Sequence, residues 1–392
     1  MKYDFDQPTV RRGTNSYKWD TETDADIIPM WVADMDFRTA PVVVSALEER
    51  VKHGIFGYTH VPQEFYSSIT SWFSQHHGWS FSNDWILYTS GVVPAMSATI
   101  KAFTLPGDRV IVQTPVYNCF FSSIRNNGCE AVYNNLIYVN GTYTIDFDGL
   151  ERLASDSRTR LLLLCNPHNP AGRVWTRDEL QRVGDICLRH GVTVVADEIH
   201  CEFVSPGHTY VPYGSLGGDY VHNAVILNAP SKAFNTAGLQ IAYIVCERAE
   251  WRERIDRAIN INEVCDVNPF GVIGLIAAYS DEGAEWLRQL NEYLFANYRH
   301  LCDFFKEQLP EFPVTKLEGT YLVWVDCSAL SMKSDDIEEQ LLRNNKVWIN
   351  AGSMYGDDRF IRINIACPRQ RMDEGLHRIA TGLRQLLTAK RD

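Results

Sequence analysis

The sequence predicts an α/β fold: a largely parallel sheet covered by helices on both faces, followed by a smaller α+β unit. Three observations carry that expectation. Runs such as Leu161–Leu164, Val192–Ala196 and Val225–Leu227 are apolar or β-branched throughout, the pattern of strands buried on both faces rather than one. Stretches with apolar residues at helical spacing separate these runs, so strand and helix alternate along the chain. After about Ile244 the alternation gives way to long helices and then to closely spaced short strands.

Bulk properties narrow the function classes. A chain of 392 residues is long enough for more than one domain and a sizeable core. Hydrophobic residues at 45% and charged residues at 22% are ordinary for a folded globular protein. The formal net charge of -12 repels phosphate backbones and anionic membranes. No nucleic-acid partner and no membrane partner is expected. A small anionic ligand is compatible with that charge, because local donors decide such a site. The ten cysteines are scattered with no CxxC pair, which indicates neither a zinc knuckle nor a disulfide framework. Met1–Asp6 has no apolar core of signal-peptide length, and no later run reaches membrane-spanning length. A reduced, cytoplasmic protein is expected.

In chain order, the segment Pro29–Phe37 mixes apolar residues with Asp34 and Asp36, which suggests a packing arm that also presents charge, either as salt bridges or toward a substrate. Pro41 opens a helix that Gly54 ends, and a second runs from about Gln63 to His77. Ser90-Gly91-Val92-Val93 leads into Pro94 and a helical pattern through Phe103. A glycine at a helix start lets a ligand approach free backbone N–H groups, a natural cradle for phosphate. Arg109–Gln113 is a strand, a helix follows Pro115, and Asn140-Gly141 is a turn. Leu161–Leu164 is a buried strand, Thr176–His190 an amphipathic helix, and Val192–Ala196, Val225–Leu227 and Ile241–Val245 are further strands. Residues 251–279 read as helical, and Trp286 to Pro310 as a longer helix. Then come strand Thr320–Val325, a helix through Leu341, strands Val347–Ile349 and Phe360–Asn364, and a last helix to about Leu387.

The chemistry-bearing residues follow three of the buried strands. Asn166–Gly172 follows one, Asp197–His200 the next, and Ser231-Lys232 a third, while Arg362 lies far on. Ligands of parallel sheets gather beyond the carboxyl ends of the strands. A lysine there forms a Schiff base with a carbonyl once desolvation frees its proton. A carboxylate keeps a pyridine nitrogen protonated, and an asparagine donates to a phenolic oxygen. With the cradle at Gly91, this set matches pyridoxal 5'-phosphate. The cluster Asp197-Glu198-Ile199-His200-Cys201-Glu202 also contains metal-ligand types. Cofactor chemistry already engages Asp197, so no metal is expected, and Glu198, Cys201 and His168 are read as structural. Trp31, Tyr321 and Trp324 are read as core aromatics.

Beyond that, the order Gly91-Val92-Val93, Tyr117, Asn169-Pro170-x-Gly172, Asp197, Ser231-Lys232 and Arg362 resembles the fold type I, aspartate aminotransferase-like pyridoxal-phosphate enzymes over nearly the whole chain. Longer strings are similar to the MalY/PatB group of cystathionine β-lyases, which includes cystalysin-type C–S lyases: WVADMDF at 31–37, GVVPA at 91–95, TPVY at 114–117, CNPHNPAGRVW at 165–175, DEIH at 197–200 and SKAFNTAGL at 231–239. The resemblance implies a mostly parallel seven-stranded sheet between helices. It also implies an N-terminal arm over 1–40, a large cofactor-binding domain over 41–285 and a small α+β domain over 286–392. Lys232 would carry the cofactor and remove the substrate's α proton. Asp197 would pair with the ring nitrogen, Asn169 hold the phenolic oxygen, and Tyr117 lie against the ring as an acid–base or orienting group. Val92, Val93 and Ser231 would bind phosphate, Tyr58 would reach in from the second subunit of a homodimer, and Arg362 would grip the α-carboxylate of an amino-acid substrate. His200 would stand near the phenolic oxygen, where many aminotransferases carry a tyrosine. Gln240 stands where many transaminases have a phosphate-binding arginine, which argues against plain transamination.

The expected activity is β-elimination from cystathionine or another S-substituted cysteine, giving a thiol, pyruvate and ammonia. An aminotransferase would share every one of these residues. A regulatory protein that binds a transcription activator, a role known within the group, is a third reading, and with no helix-turn-helix extension visible it would act by protein contact.

Overall fold

The computed structural model describes residues 2–261 and 266–391, the side chain of the last excepted. Cys265 and the middle of the helix expected over 251–279 lie outside the described residues. Seven strands build the large sheet: β1 (Ile86–Thr89), β2 (Arg109–Val112), β3 (Glu130–Tyr133), β4 (Thr159–Cys165), β5 (Thr193–Asp197), β6 (Ala224–Asn228) and β7 (Ala242–Val245). Their spatial order is β1-β7-β6-β5-β4-β2-β3. The pairs from β6 to β3 are parallel, while β7 is antiparallel to both β6 and β1. β1 therefore runs with the other five, and six strands end at one edge.

The uniformly apolar runs have a direct cause. Ile111, Leu162, Leu164, Val194 and Ile226 point into one core, and Val110, Val112, Leu161, Leu163, Val195 and Leu227 into another. Alternate residues go to opposite faces, and both faces are covered. The second core is closed by helix α1 (Val92–Phe103), a helix at Cys119–Asn126 and one at Ala249–Asn260. On the other face lies α2 (Arg177–His190), opened by a full capping box between Thr176 and Glu179. Ahead of β1, Pro41–His53 and Gln63–His77 are helical as expected, each ending on a left-handed glycine, Gly54 and Gly78.

The sequence reading missed β1, β3 and a hairpin of Ile137–Val139 with Thr142–Thr144, whose turn is the expected Asn140-Gly141, both at positive φ. The long helical stretch over 251–279 is two helices, the second opened at Pro269 with Asn268 as its cap. A helix of 28 residues, Asp281–Gln308, leads to a second, antiparallel sheet of β8 (Leu322–Asp326), β9 (Asn350–Ala351) and β10 (Phe360–Asn364), flanked by helices Ser334–Asn345 and Arg369–Arg391. The strand expected at 347–349 is shorter, and a separate strand that the sequence reading missed, β9, follows it. Val347–Trp348 pairs with Ile28–Pro29 of the arm, and β9 pairs with β10. Asp34 and Asp36 are salt-bridging residues: Arg11 reaches them at 2.7 and 2.9 Å, and the fully buried Asp36 also meets Lys18 and Arg371. Among the described residues, no helix is long and apolar enough to cross a membrane, and the cysteines are free thiols.

Candidate active site

Register brings the polar residues to one level. Cys165 pairs with Asp197, and Asp197 with Leu227, so the chain leaves β4, β5 and β6 side by side at Asn166, Glu198 and Asn228. Past β6 the chain turns tightly, Phe234 N–H donating to Pro230 O and Thr236 N–H to Ser231 O. Ala233 and Phe234 are buried flat against the core. This anchor holds Lys232, whose Nζ donates to Ala33 O at 2.7 Å. Tyr321 Oη donates to the same carbonyl at 3.1 Å. Lys232 is part-buried by surface, yet protein crowds its amine. Burial pushes it down to about 8, the Arg362 charge adding to this while Asp34 and Asp197 oppose it.

The Asp197 carboxyl lies on the same edge, buried, and burial pushes it up to about 7. Its Oδ1 accepts from Ile199 N–H at 3.2 Å. That bond and the Lys232 charge offset the burial only in part. His200 is buried as well, with Nδ1 unpartnered among the described residues. Burial and the charges of Lys232 and Arg362 hold its protonation well below the usual histidine range.

Arg362 comes to this edge from the second sheet. It arises within β10, not at a strand end, and crosses to β4's loop, where Nη1 donates to Asn169 Oδ1 at 3.0 Å. Nη2 donates to Trp31 O and Asn350 Oδ1, both at 2.9 Å, and the guanidinium lies 4.6 Å from the centroid of the Tyr355 ring. All three acceptors are neutral, and Nε has no partner among the described residues. Tyr117, part-buried, sits within the fields of Arg362 and Asp197. Burial and then Cys119 raise its phenol above the usual range.

The helix start after Gly91 is where the sequence expected it. Gly91 precedes α1, and among the described residues no side chain caps that helix. The N–H groups of Val92 and Val93 belong to its uncapped first turn. A cavity of about 590 Å³ opens beside it, lined by Ser90, Pro94 and Gln240, though not by Lys232 or Asp197. Ser231 adjoins Lys232 in the turn. Tyr58 stands apart from this group, 95% exposed. Sequence reasoning missed Ala33 O, Asn350, Tyr355 and Cys119. Of these only the arm carried a signal, the two carboxylates set in its apolar run. Tyr321, read as core, is buried as expected, but its hydroxyl faces the lysine's acceptor.

Pyridoxal 5'-phosphate fits this donor set. Asp197 is buried with one backbone N–H as its hydrogen-bond donor among the described residues, and a protonated ring nitrogen would supply the missing partner. Asn169 engages Oδ1 with Arg362, which leaves its Nδ2 for a phenolic oxygen. The uncapped helix start suits a phosphate.

Comparison with known proteins agrees with the geometry. The family model described as aminotransferase class I and II matches residues 25–379. The chain is 40% identical to cystathionine β-lyase PatB of Bacillus subtilis over 385 residues, 97% of this chain and 99% of that protein. It is 32% identical to protein MalY of Escherichia coli, over 97% of this chain and 99% of that one. The crystal structure of cystalysin from Treponema denticola, which contains a pyridoxal 5'-phosphate cofactor, superposes with a TM-score of 0.95 at 34% identity, covering 98% of this chain and all of that one.

Proposed function

The chain belongs to the aminotransferase class I and II family, and from that premise we infer that it is a pyridoxal-phosphate-dependent carbon–sulfur β-lyase acting on L-cystathionine or a related S-substituted cysteine. The observation that carries this reading is the likeness over nearly the full length to an enzyme named for that reaction. The exposed Gln240, in place of a cation at the cradle, supports elimination over plain transamination.

Bound pyridoxal phosphate supplies a conjugated ring that stores the electron pair released when the α C–H bond breaks. The residues do the rest. Arg362, free of any carboxylate partner among the described residues, takes the substrate α-carboxylate in its planar fork. Asp197 would hold a proton on the ring nitrogen, and Asn169 would donate to the phenolic oxygen, with His200 near it. Val92, Val93 and Ser231 would bind the phosphate, and Tyr117 would lie against the ring. Lys232, whose depressed pKa makes a neutral amine accessible, would hold the cofactor and, once the substrate amine displaces it, remove the proton from Cα. The thiolate then leaves from Cβ, and the unsaturated amine that remains hydrolyses to pyruvate and ammonia.

The working unit is a homodimer with Tyr58 entering the partner's site. The exposed apolar group Val51, Ile55, Phe56 and Tyr58 supports this reading. The free cysteines support a reducing, cytoplasmic compartment. The antiparallel sheet and its helices support a small unit over 286–392, beside the arm at 1–40 and the large unit at 41–285.

The test is pyruvate release from L-cystathionine without any keto acid. Lys232→Ala is expected to keep cofactor bound while turnover falls by about 10²–10⁴-fold, the range typical of a positioned proton-transfer group. Strict dependence of the wild type on a keto-acid acceptor would make it an aminotransferase instead. Near-normal turnover in the variant would remove Lys232 from the reaction.

A further inference from the structure

The six-residue run Asp197–Glu202 splits between two sides of the fold. Asp197 lies within the field of Lys232, and His200 within those of Lys232 and Arg362. Cys201 and Glu202 turn the other way, toward the end of the helix Gln63–His77. There His77 Nε2 lies 2.9 Å from Glu202 Oε1, and Cys201 Sγ lies 3.5 Å from the same oxygen. Among the described residues, this is the one group of three that could hold a metal ion, its ligand atoms all within 4.8 Å of one another.

We propose that His77, Cys201 and Glu202 form a metal site for a divalent ion of the zinc class, separate from the cofactor site. Imidazole, thiolate and carboxylate together are the donor set of zinc, and three protein ligands leave a fourth position for water. Two neighbours already hold the ligands in place: Trp72 Nε1 donates to Glu202 Oε1 at 2.7 Å, and Asn228 Nδ2 to Cys201 Sγ at 3.3 Å. Such outer contacts orient ligands before the ion arrives. All three ligand side chains are at least nine-tenths buried, yet they line a cavity of about 590 Å³, which gives the ion a way in. His76 and His208 line the same cavity.

Binding replaces protons and involves no redox step. The Cys201 thiol, which now donates to Glu202, gives up its proton, and His77 gives up whatever proton it shares with Glu202. The ion would bind the C-terminal end of the helix Gln63–His77 to the turn that begins at Asp197. Its role would be to stiffen the frame under the cofactor's ring partner.

The probe is zinc alone, added to chelator-treated holoenzyme and followed by dialysis and elemental analysis. One zinc per chain is expected, with affinity at least tenfold weaker in Cys201→Ser and in His77→Gln. X-ray absorption on the zinc-loaded wild type requires no variant to fold. It is expected to show one sulfur at about 2.3 Å and lighter ligands at about 2.0–2.2 Å. Titration calorimetry in two buffers of different ionisation enthalpy should report the release of at least one proton. A wild type that retains no zinc, a shell without sulfur, or unchanged affinity in Cys201→Ser would each overturn the site and leave a hydrogen-bonded trio. The lyase assignment stands or falls separately, on pyruvate release.

Discussion

The amine of Lys232 and the carboxyl of Asp197 are both displaced toward neutrality. Their ordinary values are 10.5 and 3.8, and burial brings them to about 8 and about 7. Neither shift is explained by a structural role, since burying either group without its own ion partner is a cost the fold would avoid. Both make sense if the groups await a ring that arrives with its own charges. The amine value yields a directional test. Capture of pyridoxal phosphate by the apoenzyme needs the neutral form of Lys232, which is the minority form below its pKa. The capture rate, followed by absorbance, is therefore expected to fall about tenfold for each unit below about pH 8 and to level off above it. A rate that stays flat from about pH 6 to about pH 9 would mean that this amine is not the group captured.

At the scale of elements, the sequence was most legible where one signal dominated. Pro41 and Gly54 gave helix ends because each satisfies or frees specific backbone groups. The strands buried on both faces were visible as apolar runs, but such a run has no direction, and so the reversal of β7 could not be read. β1 and β3 are no shorter than β2 and β7, but they are only partly buried and so lack the apolar run that marked those two. Lys232, Asp197 and Asn169 were legible because each follows a strand. Their contacts with the arm were not, since 199 residues separate Ala33 from Lys232. Asn235 is the other half of that link. Its Oδ1 accepts from Met35 N–H at 3.0 Å, and its Nδ2 donates to Met35 O and Phe37 O. It does so from a left-handed backbone, φ 54°, which asparagine tolerates well. Asn235→Ala should lower stability by about 2–4 kcal/mol, from lost hydrogen bonds and backbone strain. It should also slow the capture of pyridoxal phosphate by the apoenzyme. Asn235→Gly keeps the backbone freedom and loses only the bonds, so it should be milder. Equal and negligible losses in both, measured by denaturant unfolding, would show that the arm does not steady the lysine turn.

For the whole molecule, the decisive fact is that one proposed site residue stands apart from the others of its own chain. Tyr58 is 95% exposed, at the end of a stretch in which Ile55 and Phe56 are also more than half exposed. A homodimer explains both observations if that stretch meets a second copy and Tyr58 reaches the other chain's phosphate. Symmetry then makes complementation a test. Lys232→Ala disables a chain's own site, whereas Tyr58→Ala disables the site of its partner. In a mixed dimer both lesions fall in one site, and the other keeps a native Lys232 and a native Tyr58. Coexpression of the two inactive variants should therefore restore activity to about one quarter of wild type, because about half of a random mixture is mixed dimer and half of its sites are intact. If Tyr58 served its own chain, or served no site, mixing would give no more than the average of the separate variants. The same samples, run by sedimentation, report whether the dimer forms at all, so a missing partner and a misplaced tyrosine give different results.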